Sequence, residues 1–287
     1  MFIYYSCVDE KETEVTSIRM YGLGPDNQNI CIRINNFTPY VYIELPTDIV
    51  WSEAKAQLIS RKIDQIMGNA KPLKKFLIYR YKLYGAYLDE KGDRKKFPYL
   101  YCSFSSKNDI NHLCARLRKD IGTIVGIGSH IKLKVHEQDA SPILQLTCAR
   151  NINTVGWISF KGREVPVDEK VTICDEEYYV KWKEIMKYET DTIGNPLVMG
   201  FDIEVNSSNP SAMPNADKVG DKIFQISCVF TRTTEDSTPE PYLLTLGETT
   251  QELLGEDIML LQFKTEADLL IGFTKLVRKK NPNVIMG

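Results

Sequence analysis

Between residues 37 and 137, segments in which apolar and polar residues alternate are interrupted by two segments with an apolar residue every third or fourth position. Alternation is typical of strands and predicts four of them, at residues 37–45, 74–88, 98–104 and 130–137. The longer period predicts two helices: Ser52 and Gly68 cap and close the first, and the second lies within 105–122. This order is a split βαβ motif, so we predict an α+β, ferredoxin-like sheet with both helices on one face.

The rest of the first 195 residues carries five further predicted elements. They are two strands at 2–8 and 29–34 joined by a turn region, a helix at 142–151, a strand at 156–157 and a helical segment near 178–186. Turn-forming residues then cluster in 189–196. We therefore predict two domains, at 1–195 and 196–287.

After this boundary the pattern becomes more uniformly apolar. Residues 197–205, 221–230 and 241–247 predict three strands, the first of them covered on both faces. A helix is predicted at 265–281, with Thr265 as N-cap and basic residues in its last turn, and a further strand follows. The order β-β-β-α-β is how a ribonuclease-H-like α/β domain begins.

Two acids, Asp202 and Glu204, interrupt the first of these apolar strands. Because residues i and i+2 of a strand point to the same face, their carboxylates project together. Neighbouring carboxylates repel unless a cation neutralises them, and hard cations such as Mg²⁺ or Mn²⁺ prefer oxygen ligands. A pair of such ions can support phosphodiester hydrolysis. Acid-x-acid spacing recurs elsewhere in polar segments, so the residues alone leave a purely structural role open.

Composition limits the class of protein. Apolar residues make up 43% and charged residues 26% of the 287 residues, as in ordinary globular proteins. The chain shows no signal peptide and no apolar run of membrane-spanning length. Its seven cysteines form no C-x-x-C, which indicates reduced thiols, and its three histidines are scattered, which argues against a zinc site.

Charge is distributed unevenly. The net charge is −2, yet residues 51–100 contain twelve basic and five acidic residues, a net charge of +7. A local basic surface of this kind suits a polyanion, and an open sheet can present a face to nucleic acid. The candidate nucleic-acid-binding residues are Lys71, Lys74, Lys75, Arg80 and Lys82. A solvated charged surface without a ligand is the alternative. We expect Tyr79, Tyr81 and Tyr84 to pack and pair within the sheet, with base stacking as the alternative role.

Several segments together resemble family B DNA polymerases. "FDIE", "DKIFQIS" and "NPNVIMG" resemble the opening of the 3′–5′ proofreading exonuclease domain of that family. Upstream, "NNFTPYVYIELP" is similar to the family's N-terminal strand, and "SPILQLTCARNINTVGWI" resembles a segment of its delta-type members. The resemblance covers most of the chain and favours a polymerase from a large DNA virus.

The resemblance implies specific roles and partners. Asp202 and Glu204 match the family's first exonuclease motif and would bind two Mg²⁺ or Mn²⁺ ions, with Asp202 between both and Glu204 orienting the attacking water. The second motif should begin directly after "VIMG", so we expect the N-terminal part of a longer polymerase, inactive by itself. DNA, the remaining C-terminal part and a sliding clamp or processivity factor are the expected partners. The expected location is intracellular: the host nucleus or a cytoplasmic viral factory, or the nucleus for a cellular protein.

Three other hypotheses belong to different classes. The chain would be a stand-alone module that binds single-stranded nucleic acid, one chain of a split polymerase, or an unrelated ribonuclease-H-like nuclease or transposase. The long N-terminal resemblance argues against the last of these.

Overall fold

The structure, a computed structural model, describes residues 2–9, 14–82, 84–85, 87–192, 194–233, 236–250 and 254–287. It divides into two compact units, the first comprising residues 1–21 and 30–190 and the second residues 22–29 and 191–287. None of the helices in the described residues is long and apolar enough to cross a membrane.

The first part of the chain contains nine strands and three α-helices in its described residues. The strands are β1 (Phe2–Asp9), β2 (Glu14–Leu23), β3 (Asn29–Ile34), β4 (Tyr40–Glu44), β5 (Lys74–Tyr81), β6 (Lys96–Ser103), β7 (Lys134–His136), β8 (Ile158–Glu164) and β9 (Glu176–Lys187). The helices are α1 (Glu53–Met67), α2 (Lys107–Leu117) and α3 (Pro142–Arg150).

The split βαβ motif is confirmed. Strands β4 to β7 form an antiparallel sheet in the order β5-β6-β4-β7, and α1 and α2 pack on one face of it. Ser52 caps α1 by accepting a hydrogen bond from the Lys55 N–H, and Gly68 closes the helix at a positive φ of 57°. Alternate strand residues such as Ile43 and Leu100 are buried against the helices. Each strand therefore has one buried face and one face that carries other side chains.

Two strands of this sheet are shorter than predicted. β5 ends at Tyr81 and not at Leu88, because Gly85 follows with a φ of 85° and turns the chain. β7 covers only Lys134–His136, because the Ile131 backbone bonds to Ile121 and Gly122 in the preceding loop and Glu137 adopts a left-handed φ of 62°.

A second sheet in this unit has the order β1-β2-β3-β9-β8 and corrects two predictions. The first 35 residues contain three strands and not two. The segment near Tyr178–Met186 lies in strand β9 and is not helical, because it pairs in parallel with β3 and in antiparallel with β8. Within β9, Glu177 is fully buried and accepts hydrogen bonds from the backbone of Val171 and Thr172.

The second unit is built on a five-stranded sheet and one helix. These elements are β10 (Leu197–Val205), β11 (Ile223–Arg232), β12 (Glu240–Leu246), β13 (Met259–Phe263), α4 (Glu266–Lys280) and β14 (Val284–Met286). The sheet order is β13-β12-β11-β10-β14, with β14 parallel to β10. The predicted β-β-β-α-β series is confirmed, but β13 was missed; its parallel pairing with β12 completes one edge of the sheet.

Helix α4 covers one face of that sheet. Thr265 caps it by accepting from the Asp268 N–H, and Asn281 ends it in the left-handed conformation. Leu269 and Leu276 pack on the buried residues of β10, β11 and β12, including Met199 and Phe230. The opposite face of β10 is the one that carries the acids.

Candidate active site

Asp202 and Glu204 lie two residues apart on β10, and both are exposed. Met199 is fully buried and Phe201 packs against Phe273 of α4, with ring centroids 5.7 Å apart. Alternation along the strand therefore directs the two carboxylates to the face opposite α4. The predicted common orientation of the acids follows from this arrangement.

The neighbouring strand places polar side chains opposite the acids. Asp202 is paired with Ser227 and Glu204 with Gln225, and the pairing of β10 with β11 shifts register just after Glu204. An Asp202 oxygen accepts the Ile203 N–H at 3.0 Å. The acids thus sit where regular strand pairing ends, beside groups that can donate hydrogen bonds to a bound molecule.

The parallel strand β14 runs alongside β10 only as far as Gly200, which is paired with Met286. A Cβ atom on Gly287 would approach the Phe201 ring to 2.5 Å, so the two residues are in close contact. Parallel strands end at the same edge of a sheet. β14 therefore finishes at the edge where Asp202 and Glu204 lie.

The loop between β10 and β11 is organised by Asp221, a residue that sequence analysis did not single out. Its carboxylate accepts the backbone N–H of Ser208 at 2.6 Å and that of Asn215 at 2.9 Å, and only 7% of the residue is exposed. Hydrogen bonds from the Ser208 side chain and from these N–H groups lower the pKa of Asp221 to about 2. In the sequence, the position of Asp221 between a polar loop and an apolar strand could have indicated this role.

The donor atoms of this site suit a hard divalent cation. Two exposed carboxylates offer the hard oxygen ligands that Mg²⁺ and Mn²⁺ prefer. Across the part of the chain that the structure describes, no cluster of three or more His, Cys, Asp or Glu residues is placed to hold an ion. The residues present therefore fit part of a divalent-metal site, and the ligand roles of Asp202 and Glu204 stay a prediction.

The five candidate nucleic-acid-binding residues fall into two groups. Lys71, Lys74 and Arg80 are exposed. Lys75 bonds to Asp64 of α1, and Lys82 contacts a Glu44 oxygen at 2.5 Å. The structure thus does not bring all five together on one surface, and the binding role of each stays a prediction.

The tyrosines of this region are less packed than we expected. Tyr79 and Tyr81 of β5 do pair with β6, but these two residues are 43% and 48% exposed, and Tyr84 is 82% exposed. Arg94 lies over the Tyr81 ring at 4.8 Å. The expected pairing within the sheet is confirmed for Tyr79 and Tyr81, and their partial exposure follows from the position of β5 as an edge strand, where a ring meets solvent on one side.

The chain is similar to known DNA polymerases. Residues 133–287 match the family model for the exonuclease domain of DNA polymerase family B. DNA polymerase 120R of Invertebrate iridescent virus 3 is 40% identical over 303 residues, which is 100% of this chain and 26% of that protein. DNA polymerase 037L of Invertebrate iridescent virus 6 is 37% identical over 300 residues, 94% of this chain and 23% of that protein.

A solved structure shares the fold. The family B DNA polymerase from the archaeon Pyrobaculum calidifontis superposes with a TM-score of 0.63 at 16% identity, covering 99% of this chain and 29% of that one. The chain spans about a quarter of the length of the curated relatives that it matches.

Proposed function

The chain belongs to DNA polymerase family B, and from this premise we propose that it forms the N-terminal part of a replicative DNA polymerase with a 3′–5′ proofreading exonuclease. In this proposal residues 1–195 are the N-terminal domain and residues 196–287 open the exonuclease domain. The viral relatives named DNA polymerases, each about four times as long, support it.

One observation carries the exonuclease assignment: Asp202 and Glu204 project from one face of β10, exposed, at the sheet edge where β14 ends. We assign both as ligands of two Mg²⁺ or Mn²⁺ ions in the complete site. Two such ions, when bound, activate a water and stabilise the leaving oxygen in phosphodiester hydrolysis. Asp202 and Glu204 would hold the ions, and their partners on β11, Ser227 and Gln225, would donate hydrogen bonds to the strand being cut.

A segment continuing from β14 would begin beside the acids, because β14 is parallel to β10 and adjacent to it. Asp202 and Glu204 would then be joined by carboxylates supplied from that segment. With two acids only, the 287-residue chain by itself should show neither polymerase nor exonuclease activity.

The test uses the complete polymerase that carries this region, with a 5′-labelled single-stranded oligonucleotide and Mg²⁺. Asp202→Ala or Glu204→Gln should slow degradation by more than about 100-fold, since loss of a ligand exceeds the 10- to 100-fold effect of changing an outer-shell partner. DNA synthesis should persist. Glu189 and Asp191 are an exposed pair with the same spacing, so Asp191→Ala and Glu189→Gln are the matched controls and should leave degradation unchanged. Degradation that survives Asp202→Ala would overturn the proposal.

The proposal extends to partners and location. DNA is the substrate, both as template and as a single-stranded 3′ end, and the rest of the polymerase chain and a processivity factor are the partners. The site of action is intracellular, in the host nucleus or a cytoplasmic viral factory.

A second candidate function is a stand-alone module that binds single-stranded nucleic acid. The exposure of Lys71, Lys74 and Arg80 favours it. Binding would then be unaffected by Asp202→Ala and would weaken steeply with salt.

A further inference from the structure

Three aromatic rings lie in contact across the split βαβ sheet, one pair stacked and the other tilted. Phe76 of β5 stacks on Tyr101 of β6 with centroids 4.5 Å apart and planes inclined by 22°. Tyr101 in turn lies 5.2 Å from Tyr40 of β4, at 31°. Residues that alternate with them, such as Leu77 and Leu100, belong to the core beneath the helices. The stack therefore lies on the face opposite α1 and α2.

The stack ends at the edge of the sheet. β5 is the terminal strand in the order β5-β6-β4-β7, and Phe76 is 44% exposed, whereas Tyr101 and Tyr40 are partly buried. Near-parallel rings leave the outer face of the last ring available for another planar group. A nucleobase offers such a face, and stacking on an aromatic ring tolerates any base.

Two cations flank the exposed ring. Lys74 and Arg80 lie two residues before and four residues after Phe76 on the same strand, so they share its face, and both are exposed. Burial raises the pKa of Tyr42 and the nearby Arg80 guanidinium partly offsets that rise, which indicates that Arg80 lies near the Tyr42 hydroxyl. The nearby carboxylate of Glu44 is occupied by Lys82 and His136. The Glu137 carboxylate also lies near Tyr40, Tyr42 and Arg80, so the charge on this face is mixed, and Lys74 and Arg80 are the exposed cations on the strand that carries Phe76.

We propose that Phe76 is the outer platform of a binding site for single-stranded DNA, on which one base continues the ring stack while Lys74 and Arg80 contact the phosphates on either side. The assignment of the strand to DNA rests on the proposed polymerase function. The stacking residue itself is assigned from the ring geometry. It differs from the basic residues that charge alone selected.

Fluorescence anisotropy of the 287-residue chain with a fluorescein-labelled twelve-nucleotide oligodeoxythymidylate tests this. Phe76→Leu keeps an apolar residue on the strand and should weaken binding about 5- to 100-fold, the usual cost of losing one stacked base. Phe76→Trp should restore it. Tyr79→Leu is the matched control, since Tyr79 lies on the same strand with 43% exposure but on the opposite face, and should change binding less than about twofold.

A second set of measurements distinguishes binding to the DNA bases from binding to the DNA backbone. An abasic oligomer of equal length should bind the native chain and Phe76→Leu equally. Lys74→Gln and Arg80→Gln should each reduce the slope of log affinity against log salt by about 0.7.

Several outcomes would contradict the proposal: Phe76→Leu that folds and binds normally, Tyr79→Leu with an equal loss, or tighter binding of oligouridylate than of DNA. An unchanged Phe76→Leu affinity would also be the result if the edge strand pairs with another chain through its backbone. The two proposals have separate readouts, DNA binding for Phe76→Leu and DNA degradation for Asp202→Ala, so a failure of the exonuclease proposal would not imitate a failure of this one.

Discussion

The sheet of the exonuclease unit and the split βαβ sheet each bury one face under helices and place different chemistry on the other. β10 presents two carboxylates there, whereas β4, β5 and β6 present stacked rings with cations beside them. In both sheets the buried face is apolar, with Met199 in one and Ile43 in the other fully buried. The period of two lets a strand carry packing residues and ligand-binding residues independently of each other.

The two open faces differ in how they meet water. Exposed carboxylates stay hydrated until a cation replaces that water, because an unpaired charge is costly to bury. Rings instead reduce their apolar area by stacking on each other, and only the last ring, Phe76, remains largely exposed. The acidic face therefore suits metal ions and the aromatic face suits planar bases.

The buried faces provide the largest test of this comparison. Phe230→Ala in the exonuclease unit should lower the free energy of unfolding by about 3–5 kcal/mol, and Ile43→Ala in the split βαβ sheet by about 2–5 kcal/mol. Both residues are at most 1% exposed. Urea denaturation followed by circular dichroism measures the change. A loss below about 1 kcal/mol at either site would show that its face is not a packed core.

The helix caps give a smaller and matched pair of effects. Ser52 and Thr265 each accept the N–H three residues on, at the start of α1 and α4. Ser52→Ala and Thr265→Ala should each cost about 1 kcal/mol of stability. Replacement by Gly or Asn should cost less, and denaturation midpoints compare the variants. Unequal losses would show that one helix depends less on its cap than the other.

The loop after the acids gives a local, pH-dependent effect. The pKa of Asp221 is lowered to about 2 by hydrogen bonds from the Ser208 side chain and the Ser208 and Asn215 N–H groups. Its ionised form thus stabilises the fold above its ordinary pKa of about 4, and this contribution is lost as the pH falls towards about 2. Amide hydrogen exchange of Ser208 and Asn215 should show protection disappearing in that window. In Asp221→Asn, protection should be reduced at every pH; full protection there would contradict the role of the carboxylate.

The smallest expected effect is on the open face of β11. Ser227 is paired with Asp202 and lies between the buried Ile226 and Cys228. Ser227→Ala should change the free energy of unfolding by less than about 0.5 kcal/mol, as surface substitutions usually do. Urea denaturation is again the measurement. A large loss would mean that this face is packed and that the division into two faces fails.

The sequence alone predicted the elements that depend on local signals. Ser52 and Gly68 bounded α1, Thr265 and Asn281 bounded α4, and alternation placed Asp202 and Glu204 on one face of a strand. These features follow from short-range hydrogen bonds and from strand geometry, so neighbouring residues suffice to predict them.

Contacts between residues far apart in sequence decided the rest. The segment 178–186 fits either a helix or a strand locally, and it is a strand because β3, some 140 residues earlier, pairs with it. Lys75 forms an ion pair with Asp64, and Lys82 forms one with Glu44. Tyr101 and Tyr40 contact each other, and Phe76 stacks on Tyr101. The sequence determined which side chains each strand presents, whereas the tertiary structure decided which partners meet them, because those partners are brought together only by folding.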